Sequence, residues 1–330
     1  MNKLAKQICT IVLIFTVFGL FNCSIYFLMT RRLSNNFSSA NQARMIDVGS
    51  YLPFEESSDL PRIETSFSLE GDLPVLDGAA ALVPVYAAII DNVYPEGCVT
   101  YEGGSFSDDN YYGENFATDS KMQYRNTVRG YTAVVDGDCD ILFCASPSEE
   151  QTAYAKKNGV ELVYVPVGLE GFVFFVNKNN PVSDLTTAQI RDIYGGEITN
   201  WKDVGGIYRP INHVTRLEGS GSQSAMNAFM GGRQIAKNSP LAIVGGSIGF
   251  SFRYYMDGIV ENSDVKMLSL NGVYPNAENI QNGSYPIIAK FYAIYRADND
   301  NKNIPLLIDW ILSDEGQTLI EKTGYVRIGE

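Results

Sequence analysis

The sequence predicts an α/β fold arranged as two lobes, preceded by an apolar N-terminal helix. Three observations predict it. Short apolar, β-branched runs alternate with helix-compatible runs along most of the chain, the pattern of strands covered by helices with a ligand crevice at the strand ends. The chain has 330 residues, enough for two domains with cores of their own. Residues 8–29 form a mostly apolar run, with Lys3 and Lys6 before it and Arg31 and Arg32 after it.

That first run is 22 residues long. As a helix it spans roughly 33 Å at 1.5 Å per residue, enough for a bilayer core. It exceeds the apolar core of about 7–15 residues found in cleaved signals, and no small-x-small cleavage site follows promptly. An uncleaved anchor is therefore expected. The alternative is a lipoprotein box at Leu20-Phe21-Asn22-Cys23 with Cys23 acylated, although Phe21 and Asn22 are bulkier than that motif uses. The flanking positive charges tie, so they do not orient the segment. Residues 1–33 are assigned to the transmembrane anchor or signal, and 34–65 to a stalk and linker. Ser34 to Ala43 is polar and reads as flexible, whereas the stretch from Met45 to Ser68 is expected to pack irregularly on the first lobe, the alternative being a disordered extension.

Composition excludes several functions. With 25 basic and 38 acidic residues the formal net charge is −13, which argues against nucleic acid or an anionic bilayer surface as partner. It does not exclude a small anion, because bulk charges are screened within about 8 Å at physiological salt. The single histidine, His213, rules against a zinc cluster or a histidine triad. Of five cysteines, Cys9 and Cys23 lie in the anchor. Cys98, Cys139 and Cys144 allow at most one disulfide, with partners undetermined.

Leu73 to Leu76 reads as a short strand leading to Asp77-Gly78, and Ala79 to Ile90 as a buried helix with Pro84 in its first turn. Tyr101 to Asp119, rich in Gly, Ser, Asp and Tyr, reads as a long surface loop, with Gly103-Gly104-Ser105 as a turn. Asn126 to Val135 is helical, with Arg125 and Arg129 as solvated charges. Cys139 to Cys144 is a buried strand, and Ser148-Glu149-Glu150 opens a surface helix. Val160–Val167 and Gly171–Asn177 read as two apolar strands. Thr186 and Gln189 form a capping box over a helix whose inner face is Ile190, Ile193 and Tyr194. Tyr285 to Tyr295 is a further strand, followed by helices opening at Pro305 and at Ser313 and ending at Gly324.

The stretch Arg216-Leu217-Glu218-Gly219-Ser220-Gly221-Ser222 follows a strand-like run from Ile211 and precedes a helix-compatible run from Gln223 to Met230. Its glycines allow a tight turn, and the first N–H groups of a helix lack intrahelical partners and carry the positive end of the macrodipole. Ser220 and Ser222 add hydroxyls, and Arg216 adds a two-pronged cation. Together these are the parts of a site for a small oxyanion. The alternative is a serine-capped helix in which Arg216 pairs with Glu218.

These residues resemble the anion loop of phosphate-binding proteins, the substrate-binding components of phosphate ABC importers, which carry Arg-x-Asp-Gly-Ser-Gly-Thr. Three further stretches are similar and in the family's order: Asp77-Gly78-Ala79-Ala80-Ala81, Phe172 to Pro181, and Ile198-Thr199-Asn200-Trp201-Lys202-Asp203-Val204-Gly205-Gly206. The resemblance runs from about Leu73 to Val326. It implies a two-lobed periplasmic-binding-protein-like clamshell (type II) with two crossing strands as hinge, lobe one at 66–171 plus 286–330 and lobe two at 172–285. It implies ligand contacts from Ala79, Ala80, Thr127 and Ser146 in lobe one, and from Arg216, Ser220, Gly221 and Ser222 in lobe two. Where the family has Ser or Thr hydroxyls this sequence has Ala79 and Ala80. Where the family has an Asp that accepts the ligand's proton it has Ala145, with Ser146 beside it and Glu149 as an outside candidate.

The expected function is an extracytoplasmic protein, held at the cell membrane by its N-terminus, that binds inorganic phosphate or a similar tetrahedral oxyanion for ABC permease subunits. The alternative is a membrane-anchored sensor or scaffold of the same fold without a transport role. No enzyme activity and no cofactor are expected, since one histidine and no paired-carboxylate motif supply neither a metal cluster nor an activated nucleophile.

Overall fold

The computed structural model describes residue 3 and residues 11–24, 46–106, 112–216, 218–256 and 264–328. The chain divides into two compact units, 1–45 with 106–112, and 46–105 with 113–330. In the first, residues 11–24 form helix α1, with Ile11, Leu13, Phe15, Phe18 and Phe21 all exposed. Its polar side chains bond to their own backbone: Thr16 Oγ1 donates to the Val12 carbonyl at 2.8 Å, and Asn22 Nδ2 to that of Phe18 at 2.8 Å. Among the described residues no helix is long and apolar enough to cross a membrane. The expected span of 8–29 lies partly outside the described residues, as do Cys9 and the Ser34–Ala43 stretch.

The second unit is built on a seven-stranded sheet of order β1-β4-β11-β5-β8-β7, with β9 also paired to β5. In chain order the elements begin with β1 (Leu76–Gly78), α2 (Val83–Val93), β2 (Tyr101–Phe106), β3 (Tyr112–Phe116), α3 (Asn126–Asp136), β4 (Ile141–Ala145), α4 (Glu149–Lys157) and β5 (Leu162–Asn177). They continue with β6 (Asp184–Leu185), α5 (Thr187–Gly195), β7 (Ile211–His213), α6 (Gly221–Met230), β8 (Gly246–Phe252), β9 (Val265–Met267) and β10 (Ser269–Leu270). Last come α7 (Ala277–Gln281), β11 (Ile288–Arg296), α8 (Asn303–Leu312) and α9 (Asp314–Lys322). The capping box of Thr186 and Gln189 is present, Ile190, Ile193 and Tyr194 are buried, and Ser313 caps α9.

Strand β5 corrects the sequence reading. The two expected strands are one, 16 residues long. Residues 162–171 pair with β11, and the rest pairs with β8 and β9. Gly168, between the two expected strands, is required by packing: a Cβ there would sit 2.2 Å from the Phe291 ring. The irregularity is absorbed by a register shift between Phe291 and Tyr292, which face Gly168 and Pro166.

The stretch from Tyr101 is a second correction, because β2 and β3 form a two-stranded sheet rather than a loop. Phe116 and Glu114 are buried, and Tyr101 donates its phenol to Glu114 and tilts its ring on Phe116 at 5.2 Å. Those cross-strand contacts outweigh the turn-forming composition.

The apolar side chains gather in distinct cores. One joins Leu76, Tyr86, Ile89, Ile90, Ile141 and Phe143 to Phe291, Leu307, Ile311 and Leu319, and reaches back to Ile46 and Val48, so the segment after the stalk packs here as expected. A second takes all its members from Phe172 to Tyr285 except Val326, and holds the aromatic cluster of Phe172, Phe174, Tyr194 and Phe250. A third lies between α3, β4 and α4. Cys23, Cys98, Cys139 and Cys144 are free thiols, and burial pushes that of Cys144 up to about 12. His213 is buried against Tyr194, and burial lowers its pKa.

β5 passes from the first core to the second at Glu170-Gly171, where a polar cluster is buried. Glu170 accepts from the Gly171 N–H at 2.8 Å and the Tyr254 N–H at 3.2 Å, and pairs with Arg253 at 3.3 Å. Arg253 in turn donates to the Gly324 carbonyl at 2.6 Å, and Tyr254 packs on the Tyr325 ring at 4.7 Å. The end of β8 is thereby tied to the C-terminal loop.

Candidate oxyanion-binding site

Helix α6 begins at Gly221, two residues before the apolar pattern suggested. Ser220 is its N-cap in extended conformation, and its Oγ accepts from the Gln223 N–H at 3.3 Å. Gly221 and Ser222 are thus the first two helical residues, whose N–H groups have no intrahelical acceptor and point along the positive end of the dipole. Gly219 sits at φ +77°, a conformation that side chains rarely adopt, so the turn into the helix depends on it.

This turn is seated against the ends of β4, α3 and α4. A Cβ on Gly221 would lie 3.7 Å from Ala145 Cβ, 3.8 Å from the Phe252 ring and 3.9 Å from Thr127 Oγ1. A Cβ on Gly219 would lie 3.4 Å from Val128, and Gln151 Nε2 donates to the Gly219 carbonyl at 3.4 Å. The structure therefore brings Thr127 to the turn that carries Ser220, Gly221 and Ser222. Thr127 is buried in the first turn of α3, and its N–H donates to the side chain of Asn126, which itself lies at φ +61°. The Ser224 hydroxyl, one turn further along α6, is buried with no hydrogen-bond partner among the described residues.

Arg216 is exposed just before the turn. Its backbone N–H donates to Gln223 Oε1 at 2.9 Å, while among the described residues its guanidinium makes no ion pair. Glu218, the partner that the alternative reading gave it, instead accepts from Asn227 Nδ2 at 3.1 Å. The Tyr255 phenol, its pKa raised by burial, lies within the field of Arg216, which lowers it.

The remaining expected residues lie elsewhere on the same end of the fold. The Ala79 N–H is donated to the Phe143 carbonyl at 2.9 Å, and Ala80 is buried in the first core. Ser146 is exposed after β4, and Glu149 is exposed in the first turn of α4, a surface helix capped by Ser148.

Two features escaped sequence reasoning. Arg125 is not a solvated charge: its Nη1 reaches Asp77 Oδ2 at 2.7 Å and its backbone N–H reaches Oδ1 at 2.9 Å. Asp77 is fully buried and also accepts from the Gly78 N–H at 2.7 Å. Burial raises its pKa, and the bonds from Arg125 and Gly78 act against that rise. No local signal links residues 48 positions apart, since Asp-Gly alone reads as a turn. The second is Gln223, which looked like an ordinary helix residue.

The PBP superfamily domain profile matches residues 108–315, more than half of the chain. The chain belongs to the PBP superfamily. Among curated relatives of this PBP protein, Protein SphX of Synechococcus elongatus is 25% identical over 291 residues, covering 77% of this chain and 86% of that one. Phosphate-binding protein PstS of Staphylococcus epidermidis is 27% identical over 220 residues, covering 61% of this chain and 67% of its own length. Among solved structures, a phosphate ABC transporter substrate-binding protein with bound phosphate from Clostridium perfringens is 26% identical, with a TM-score of 0.57 over 78% of this chain and 99% of that one. An ABC-type phosphate transport receptor from Vibrio cholerae, 20% identical with a TM-score of 0.53, covers 77% of this chain and 99% of its own and shares the fold. The resemblance read from the anion loop and its companion stretches holds in these comparisons.

Proposed function

We propose that this PBP protein is an extracytoplasmic binding protein that closes on inorganic phosphate, or a closely similar tetrahedral oxyanion, and delivers it to ABC permease subunits. The observation that carries the reading is the seating of Gly221, at the open N-terminus of α6, against Thr127 and Ala145, with the Arg216 guanidinium unpaired among the described residues. Helix N–H groups, hydroxyls and one guanidinium suit a dehydrated oxyanion. The relatives named phosphate-binding proteins point to the same ligand.

In this reading residues 66–171 with 286–330 are lobe one, 172–285 are lobe two, and β5 and β11 are the hinge about which they close. Arg216, Ser220, Gly221 and Ser222 grip the anion from lobe two; Thr127 and the exposed Ser146 face it from lobe one, while the Ala79 N–H stays bonded to the Phe143 carbonyl and Ala80 stays buried in the first core. The protein binds without catalysing. Residues 8–29 anchor it: the part seen as α1 is mostly apolar with its large side chains exposed, and its polar Thr16 and Asn22 bond to their own backbone, the pattern of a helix meant for an apolar medium.

A second reading, a sensor or scaffold of the same fold, is favoured by the alanines at 79 and 80 and by the absence of an acidic residue at 145 or 146. Titration calorimetry of the full chain with phosphate, sulfate and molybdate under phosphate-stripped conditions tests the binding that the transport reading requires and a scaffold lacks. Heat with phosphate is expected; its absence overturns the transport reading. With Ala145 facing the turn instead of a proton-accepting carboxylate, sulfate is expected to bind as well.

A further inference from the structure

Glu149, Glu150 and Gln151 form the first turn of α4; the two carboxylates are exposed, whereas Gln151 is buried. Its side chain serves two partners at once. Oε1 accepts from the Ser148 N–H at 2.9 Å and completes the capping box, while Nε2 donates to the Gly219 carbonyl at 3.4 Å, 68 residues further on. A backbone N–H only donates and a carbonyl only accepts, so the amide has one orientation that satisfies both. Glutamate completes a capping box equally well. What glutamine adds is the donor to Gly219.

Gly219 opens the turn into α6 at φ +77°. The peptide group is planar, so holding the Gly219 carbonyl fixes the plane that leads into the Ser220 cap and the Gly221 and Ser222 N–H groups behind it. In the reading given above, α4 belongs to lobe one and this turn to lobe two, so the bond crosses the cleft. We infer that Gln151 is a positioning residue of the oxyanion site: it holds the α6 turn against lobe one and thereby slows release of the bound anion. It acts through the turn and not on the ligand. This inference rests on the oxyanion-binding reading.

The test measures association and release of radiolabelled inorganic phosphate by rapid filtration, on the full chain and its Gln151→Glu and Gln151→Ala variants, with a thermal melt of each. Gln151→Glu keeps an acceptor for the Ser148 N–H and is expected to melt like the parent, but it presents no donor to Gly219. Its release is expected to quicken about five-fold, the scale of one net hydrogen bond, with association little changed. Gln151→Ala loses the cap as well, and is expected to melt lower and to release as fast. A role confined to capping α4 predicts instead a parent-like Gln151→Glu. Three results overturn the inference and leave the binding reading intact: parent-like release in Gln151→Glu, a change confined to its association rate, as added charge alone produces, or fast release in Gln151→Glu without it in Gln151→Ala. A parent chain that binds no phosphate overturns both.

Discussion

Glu170 and Arg253 meet at 3.3 Å where β5 passes from one core to the other, and Arg253 extends the tie to the Gly324 carbonyl at 2.6 Å. The carboxylate is almost completely buried, with Arg253, Tyr254 and Tyr325 around it. Burial pushes its pKa from 4.5 to about 7 against the opposing pull of Arg253. Below 4.5 the folded and unfolded chains both hold the proton. Between 4.5 and about 7 the unfolded chain releases it while the folded chain keeps it, so this group's contribution to stability falls as pH rises through that window. Glu170→Gln is expected to remove that slope. Thermal melts of parent and variant from pH 4.5 to 8 check it, and parallel curves contradict it.

Gly324 is the other end of the tie. It lies at φ +91°, and a Cβ there would meet Tyr254 Cε2 at 2.2 Å. Gly324→Ala is therefore strained twice and is expected to cost about 2 kcal/mol or more. Denaturant unfolding measures the loss. Gly168→Ala, which strikes the Phe291 ring, serves as a comparison within the same crossing strands.

Asp77→Ala leaves the Arg125 and Gly78 donors without their buried acceptor. Breaking a buried pair in this way costs about 3–5 kcal/mol, and the lower end is expected because the Arg125 side chain is 31% exposed. Because Arg125 precedes Asn126 and Thr127, the variant is also expected to weaken phosphate binding in calorimetry. A variant with unchanged stability contradicts the account of this pair.

What the sequence revealed and what it hid follow from range. Caps and turns are local, so Thr186 with Gln189, Ser313 and Gly219-Ser220-Gly221 could be read directly. The continuity of β5 could not, because the need for Gly168 arises from Phe291 more than a hundred residues away. The β2–β3 pair was hidden for a related reason: its support comes from Tyr101 against Phe116 and Glu114, while its composition favours turns. At the candidate site, the turn and the Ser220 cap were legible from the loop, and the resemblance pointed to Thr127, which the fold brings beside Gly221. The partners that hold them, Gln223 to Arg216 and Asp77 to Arg125, depend on contacts formed only in the fold.

The central claim is that a tetrahedral anion is gripped by the N–H groups at the start of α6 with Arg216 as its cation. Equilibrium dialysis of radiolabelled phosphate against the phosphate-stripped full chain and its Arg216→Ala variant tests it most directly. The account predicts saturable binding by the parent and a loss of at least ten-fold in the variant, about 1.4 kcal/mol or more. Equal binding by the two proteins would contradict it.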